Sequence, residues 1–325
     1  MVISRTPLRI SFAGGGTDIK SFYELDGGAV VSSAIDKYIY VIVKERFDRK
    51  IYINYSKKEI VDSIDAIQHD LVRETMRMTG VEHGVEITTL ADIPSEGTGL
   101  GSSSSVTVGL LNALYTYKGE AKPASRIAEE ACEIEIDRIG KPIGKQDQYI
   151  TAFGGIRYFR FAKTGQVETE PIDLEPDAKR AFSKNLMLFY SNRIRQSDPI
   201  LREQVAHTND RRGTLNSIKK LAEDARLALR TGNLEAIGTL LHEGWEYKKK
   251  LAEQISDDHI DEMYSAALSA GALGGKICGA GGGGFLLLYC EPVYQAQVKE
   301  ALSRYAELPF TLERYGTSII FNIAR

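Results

Sequence analysis

Thirteen of the thirty glycines in this 325-residue chain crowd into three short windows, Gly14–Gly16, Gly97–Gly101 and Gly274–Gly284. Glycine at this density belongs where a backbone turns sharply or approaches a neighbour closely, because no Cβ stands in the way. The fold is therefore expected to build several tight loops, each tied to the end of an apolar run.

Those runs set the elements. Stretches rich in β-branched and aromatic residues predict strands at 8–12, 29–35, 38–44, 51–55, 85–90, 157–161 and 186–190. Apolar residues one turn apart predict a helix over 102–117, with Val106, Leu110, Leu111 and Leu114, and another over 124–139 ahead of Gly140. A polar stretch over 164–184 then gives way to charged helical sequence over 199–230 and 234–251, which places a domain boundary at 170–190. The last third alternates helix (258–270), strand (276–278 and 285–290), helix (293–306) and strand (318–323), which predicts a small α+β sandwich.

Several function classes are disfavoured at this point. With 41 Lys and Arg against 44 Asp and Glu the net charge is −3, so bulk electrostatics gives no case for nucleic acid or an anionic membrane as partner. No apolar run reaches the ~18 residues of a spanning helix, and a reducing, cytoplasmic setting is expected. Cys132, Cys278 and Cys290 form no C-x-x-C pair, so neither a disulfide framework nor a zinc knuckle is indicated. His242, Glu243 and Glu246 put Glu where the H-E-x-x-H zinc helix needs its second His, and are expected on a solvated helix face.

The window running from Pro94 through Gly97, Thr98, Gly99, Leu100 and Gly101 into Ser102, Ser103, Ser104 and Ser105 lies between a predicted strand and a predicted helix. Its amides and the positive end of the helix suit phosphate, and Ser102 or Ser103 can offer a hydroxyl to a phosphate-bound Mg²⁺. No Walker loop exists; the nearest approach, ending at Gly275-Lys276, has Ala270 for the first glycine and Ile277 for Ser or Thr. Gly279, Gly281 and Gly284 match G-x-G-x-x-G, but a strand follows them rather than a helix, so a tight hairpin packed on another loop is the better reading. The first window, from Arg5 to Asp18, runs a strand carrying Arg9 into a glycine turn that ends in Asp18. Glu135 on the second helix and Asp147 in a short Gly-bounded turn complete the set of carboxylates.

In this combination and order the segments resemble the GHMP kinases, across nearly the whole chain. Residues 94–105 are similar to the family's P-x-x-x-G-L-G-S-S-[AS] loop with one extra residue before Gly99, residues 7–18 to its N-terminal motif, and residues 276–285 to its C-terminal glycine motif. Within the family, R-I-S-F-A-G-G-G-T-D and P-I-G-K-Q-D-Q-Y look most like the D-glycero-D-manno-heptose 7-phosphate kinases. L-fucokinases are the runner-up, and non-catalytic sugar sensors a more distant alternative. Galactokinases carry Glu-His where Gly15 and Gly16 stand.

The resemblance implies a two-domain α+β GHMP kinase fold, with a ribosomal protein S5 domain 2-like N-terminal domain at 1–180 and a ferredoxin-like C-terminal domain at 181–325. It implies a kinase that uses ATP and Mg²⁺ and takes a small sugar phosphate, with no nucleic acid or membrane partner; a homodimer stays open. By the same resemblance Asp147 and Arg9 are catalytic, Pro94 and Gly97–Ser104 bind ATP, Ser103 and Glu135 hold the metal, and Asp18, Gly15 and Gly16 bind sugar. Lys145, Arg193 and Arg195 are the candidates for a second phosphate. Gly279, Gly281, Gly282 and Gly283 are expected to support the phosphate loop from behind.

Overall fold

A computed structural model describes residues 1–94 and 97–323; Ser95 and Glu96, inside the expected phosphate loop, lie outside the described residues. In chain order the strands are β1 (Val2–Ala13), β2 (Gly28–Glu45), β3 (Ile51–Asn54), β4 (Lys58–Val61), β5 (Val85–Ala91), β6 (Ile156–Phe161), β7 (Val167–Pro171), β8 (Leu186–Tyr190), β9 (Gly274–Ile277), β10 (Phe285–Tyr289) and β11 (Ser318–Asn322). The larger sheet runs β11-β1-β2-β5-β3-β4, with β6 also on β2 and β7 on β6. All its pairings are antiparallel except β3 with β5. The smaller sheet is the antiparallel set β8-β10-β9.

Two predicted strands, at 29–35 and 38–44, are one. Asp36 and Lys37 interrupt the apolar pattern, yet the ladder with β1 continues past them after a register shift at Pro7/Leu8, and Asp36 accepts the Thr311 amide at 2.8 Å and its hydroxyl at 2.9 Å. The final strand is also displaced from its expected place. Instead of joining the smaller layer it pairs with the outer edge of β1, where Val2 faces Asn322 and Arg5 faces Ser318, so the larger sheet contains both ends of the described chain.

The helix Ser102–Tyr117 lies on β1 and β2. The Ser4 hydroxyl donates to the Gly109 carbonyl at 2.8 Å and that of Ser105 to the Pro7 carbonyl at 2.9 Å, so the helix is stitched to β1 at two levels. Leu8, Ile10, Phe12, Val31, Ile35 and Leu110 form the buried centre of this layer together with Leu221 and Ala225 of the helix Arg212–Thr231. Burying each such aliphatic side chain contributes about 1.5–3 kcal/mol. A second core covers the smaller sheet with Trp245, Ile260, Met263 and Leu302. Trp245 is fully buried, and His242 hydrogen-bonds the Tyr264 hydroxyl at 2.8 Å rather than lying on a fully solvated face.

Candidate active site

The site grows from β1. Arg9 sits in the middle of a strand whose neighbours are buried on both faces, so its guanidinium can leave only along the gap beneath the loop Gly97–Gly101. There its Nε donates to Asp147 Oδ1 at 2.6 Å and its Nη2 to Asp147 Oδ2 at 2.5 Å, a bidentate fork. Nη1 donates to the Gly99 carbonyl, and the Arg9 amide to the Leu100 carbonyl at 3.0 Å. Burial opposes the charged guanidinium, but the Asp147 charge and hydrogen bonds more than compensate and raise its pKa, so Arg9 stays ionised.

Asp147 does not lie in an irregular turn. It occupies the first turn of the helix Gln146–Phe153, where a carboxylate is favoured by the helix dipole. The short segment between two glycine regions hid a helix of only eight residues, five of them buried.

The loop over Arg9 leads into the helix Ser102–Tyr117, whose N-cap is Gly101 in the left-handed conformation. Thr98 and Leu100 are buried, Pro94 is exposed, and Ser102 Oγ lies 3.3 Å from Thr98 Oγ1. The hairpin between β9 and β10 presses on this loop. Phe285 donates to the Thr98 carbonyl at 3.2 Å, and a Cβ on Gly99 would stand 2.3 Å from the Cys278 carbonyl oxygen. Gly279 faces Gly99, Gly284 faces Thr98 and Gly97, whereas Gly281, Gly282 and Gly283 pack on Ile255, Gln254 and Arg193.

Beside the helix start, Ser103 Oγ donates to Glu135 Oε2 at 2.9 Å. Glu135 has no exposed surface, which raises its pKa, while the Lys141 ammonium at 3.7 Å and bonds from Ser103, Ser104 and Gln148 hold it down. The helix expected over 124–139 is α-helical only to Cys132; Glu133–Arg138 forms a π-helical turn. Within that widened turn Ile134 and Glu135 are the two buried residues. A buried carboxylate beside a hydroxyl suits Mg²⁺, which takes one or two protein carboxylates and completes its shell with water and substrate phosphates, whereas the Lys141 ammonium, now donating to Ser103 Oγ at 2.8 Å, would have to give way to it. Among the described residues no cluster of three or more His, Cys, Asp or Glu could hold a metal unaided.

Asp18, 2% exposed, closes the other side. It accepts the amides of Gly16 at 3.0 Å and Gln146 at 3.1 Å and the Gln146 side chain at 3.3 Å; burial raises its pKa and those amides oppose the rise. Gly144 makes this approach available, since a Cβ there would fall 1.9 Å from Asp18 Oδ2. Sequence reasoning missed Gly144, although its place two residues before Gln146 was a signal. Gly15 faces Gln146, Ser11 and Lys276, whereas Gly16 turns toward Leu215 and Leu251 and contributes its amide.

The three cations expected near the sugar are not gathered there. Lys145 turns back to donate to the Gly165 carbonyl at 2.8 Å and lies over the Tyr23 ring. Arg193 pairs with Asp257, and Arg195 reaches Asp257 at 3.9 Å and the Gln254 carbonyl at 3.4 Å, on the loop that packs against Gly97 and Gly282. Lys276, 7% exposed and never singled out from sequence as a ligand, is the cation beside Gly15.

Residues 64–155 match the model for the GHMP kinases N terminal domain, and residues 225–308 the model for GHMP kinases C terminal. A D-glycero-alpha-D-manno-heptose 7-phosphate kinase of Campylobacter jejuni is 29% identical over 318 residues, covering 93% of each chain. An L-fucokinase/L-fucose-1-P guanylyltransferase of Bacteroides fragilis is 26% identical over 95% of this chain, which spans 37% of that longer protein. The crystal structure of a D-glycero-D-manno-heptose 1-phosphate kinase from Bacteroides thetaiotaomicron superposes with a TM-score of 0.83 over the full length of both chains at 26% identity. No helix among the described residues is long and apolar enough to cross a membrane.

Proposed function

Since the chain belongs to the GHMP kinase family and is an ATP-dependent sugar kinase, we propose that its acceptor is the C1 hydroxyl of D-glycero-D-manno-heptose 7-phosphate. The product is then the 1,7-bisphosphate. The observation that carries the reading is the Arg9–Asp147 fork held directly beneath the loop Gly97–Gly101.

Phosphoryl transfer asks a protein for positioning and charge neutralisation more than for covalent chemistry. The amides of Gly97–Ser104 cradle the ATP phosphates, and the start of the helix Ser102–Tyr117 adds its dipole. Asp147 accepts the hydrogen bond of the C1 hydroxyl, orients it toward the γ-phosphorus and takes its proton as the new P–O bond forms and the bond to the bridging β–γ oxygen breaks. Arg9 keeps the Asp147 oxygens aimed and balances the charge that develops beside them. Ser103 and Glu135 would hold Mg²⁺, which when bound neutralises the phosphate oxygens. Asp18 and the Gln146 side chain bind sugar hydroxyls.

ADP release measured across a panel of sugars and sugar phosphates, with and without Mg²⁺, tests the assignment. Turnover is expected with the heptose 7-phosphate and to require Mg²⁺. Turnover with L-fucose but not the heptose phosphate would replace the substrate, and no ADP with any sugar would remove the kinase reading altogether.

A further inference from the structure

Three polar groups converge on Gly15 with their bonding capacity unused. Ser11 Oγ and Gln146 Oε1 are buried and have no hydrogen-bond partner among the described residues. The Lys276 ammonium makes no hydrogen bond or ion pair there either, although the residue is only 7% exposed. A Cβ built on Gly15 would lie 3.5 Å from Gln146 Nε2, 3.7 Å from Ser11 Oγ and 4.0 Å from Lys276 Nζ, so the three gather around that glycine.

The neighbouring lysine shows that Lys276 is not simply structural. Lys248, equally buried, gives its ammonium to the carbonyls of Ile277 and Gly279 and so fixes the backbone on either side of Cys278. Lys276 takes no such carbonyl, and the nearby Asp18 is already engaged by three N–H donors from Gly16 and Gln146. A buried ammonium without a partner is costly. It is retained where an anion arrives from outside.

We infer that Ser11, Gln146 and Lys276 form the acceptor-sugar subsite over Gly15, with Lys276 recognising the phosphate that the sugar already carries. The inference rests on the sugar-kinase reading for the identity of its ligand. Within the subsite the Gln146 carbonyl accepts from a sugar hydroxyl, and the Ser11 hydroxyl and Lys276 ammonium donate to phosphate oxygens. It also explains why Arg193, Arg195 and Lys145 can be committed elsewhere without leaving a phosphorylated acceptor unrecognised.

Calorimetric binding of D-glycero-D-manno-heptose 7-phosphate and of the unphosphorylated heptose, both without ATP, tests it independently of turnover. The wild-type protein should bind the phosphorylated sugar roughly 10- to 100-fold more tightly, the range of one charge-assisted hydrogen bond. K276M should erase that preference, and K276R should keep most of it. Gly15→Ala supplies a variant whose fold is undisturbed, because its methyl makes only ordinary contacts, and it should weaken both sugars by placing that methyl among the three groups. Equal binding of the two sugars by the wild type, a preference that survives K276M, or full affinity in G15A would overturn the subsite. Should no sugar support ADP release while the preference and its loss in K276M persist, the kinase reading falls and the subsite stands.

Discussion

Arg9 is 4% exposed and still charged, and the Asp147 carboxylate is what permits it. Asp147→Asn therefore removes two things together, the acceptor for the hydroxyl proton and the counter-charge of a buried cation. Turnover is expected to fall roughly 10²- to 10⁴-fold, the range for a positioned general base, while KM for ATP changes by no more than about threefold. The variant should also melt at lower temperature, since breaking a buried pair costs about 3–5 kcal/mol and the partly exposed Asp147 side chain puts this case at the lower end. Steady-state kinetics with a thermal melt checks both, and near-normal turnover would remove Asp147 from the chemistry. Lys276 adds a pH dependence. Burial pushes its ammonium down to about 8; Arg9 adds to the shift, and Cys278 and Asp18 oppose it. Lys248, the other charge packed there, is itself pushed well down by burial and by Lys276. Only the protonated lysine attracts phosphate, so affinity for the phosphorylated sugar should fall as pH rises through about 8, approaching tenfold per unit. In K276R, which stays protonated, the same titration should be flat.

At the scale of elements, the two glycine loops stand or fall together. Gly99 has φ +74° and its missing Cβ is what lets the Cys278 carbonyl approach, so Gly99→Ala combines a backbone clash with a left-handed conformation. Overpacking of this kind costs about 1–3 kcal/mol, which for a chain of this size lowers Tm by roughly 1.5–4.5 °C. The displaced loop should raise KM for ATP about tenfold or more while the sugar-binding side, built from Asp18 and Gln146, keeps its affinity. Calorimetric melting and separate titration of the two substrates would decide it; unchanged KM for ATP would detach the loop from the nucleotide. This loop pair was legible in the sequence because glycine spacing reports close approach directly, and the helix Ser102–Tyr117 was legible because Gly101 at its N-cap and Gly119 just past its end bracket Val106, Leu110 and Leu114, one turn apart. The π-helical turn that buries Glu135 was not, since no proline or glycine marks it. Nor could composition tell that Arg193 would be claimed by Asp257, some sixty residues away, while Lys276 would be left open. Which cation keeps a partner is decided by packing between distant segments, and local pattern carries no record of it.

At the scale of the whole molecule, the strand that carries Arg9 is held between β2 and β11, and β11 comes from the far end of the described chain. The attachment is more than a ladder. Thr6 and Thr317 share a hydrogen bond between their hydroxyls at 2.8 Å, Asn112 of the helix Ser102–Tyr117 donates to the same Thr317 oxygen at 3.1 Å, and the Thr317 amide donates to the Thr151 carbonyl at 2.9 Å. Thr151 follows Asp147 by one turn of the helix Gln146–Phe153 and returns its hydroxyl to the Asp147 carbonyl at 2.8 Å. Three parts of the site, β1, the phosphate-loop helix and the Asp147 helix, thus meet at one threonine that follows every other described helix and strand except β11. Deleting residues from Thr317 onward should leave β1 as an open edge and loosen the register between Arg9 and Asp147. Losing these side-chain bonds and the β1–β11 ladder, at about 0.5–1.5 kcal/mol net for each hydrogen bond, predicts a Tm lower by roughly 5–15 °C. Turnover should fall more than tenfold at temperatures where the truncated chain is still folded. Thr317→Val separates the two effects: it keeps the ladder but removes the hydroxyl, so it should retain most of the melting temperature while lowering kcat. A Thr317→Val variant with full kcat would show that β11 only closes the sheet and that the geometry of the site is set without it.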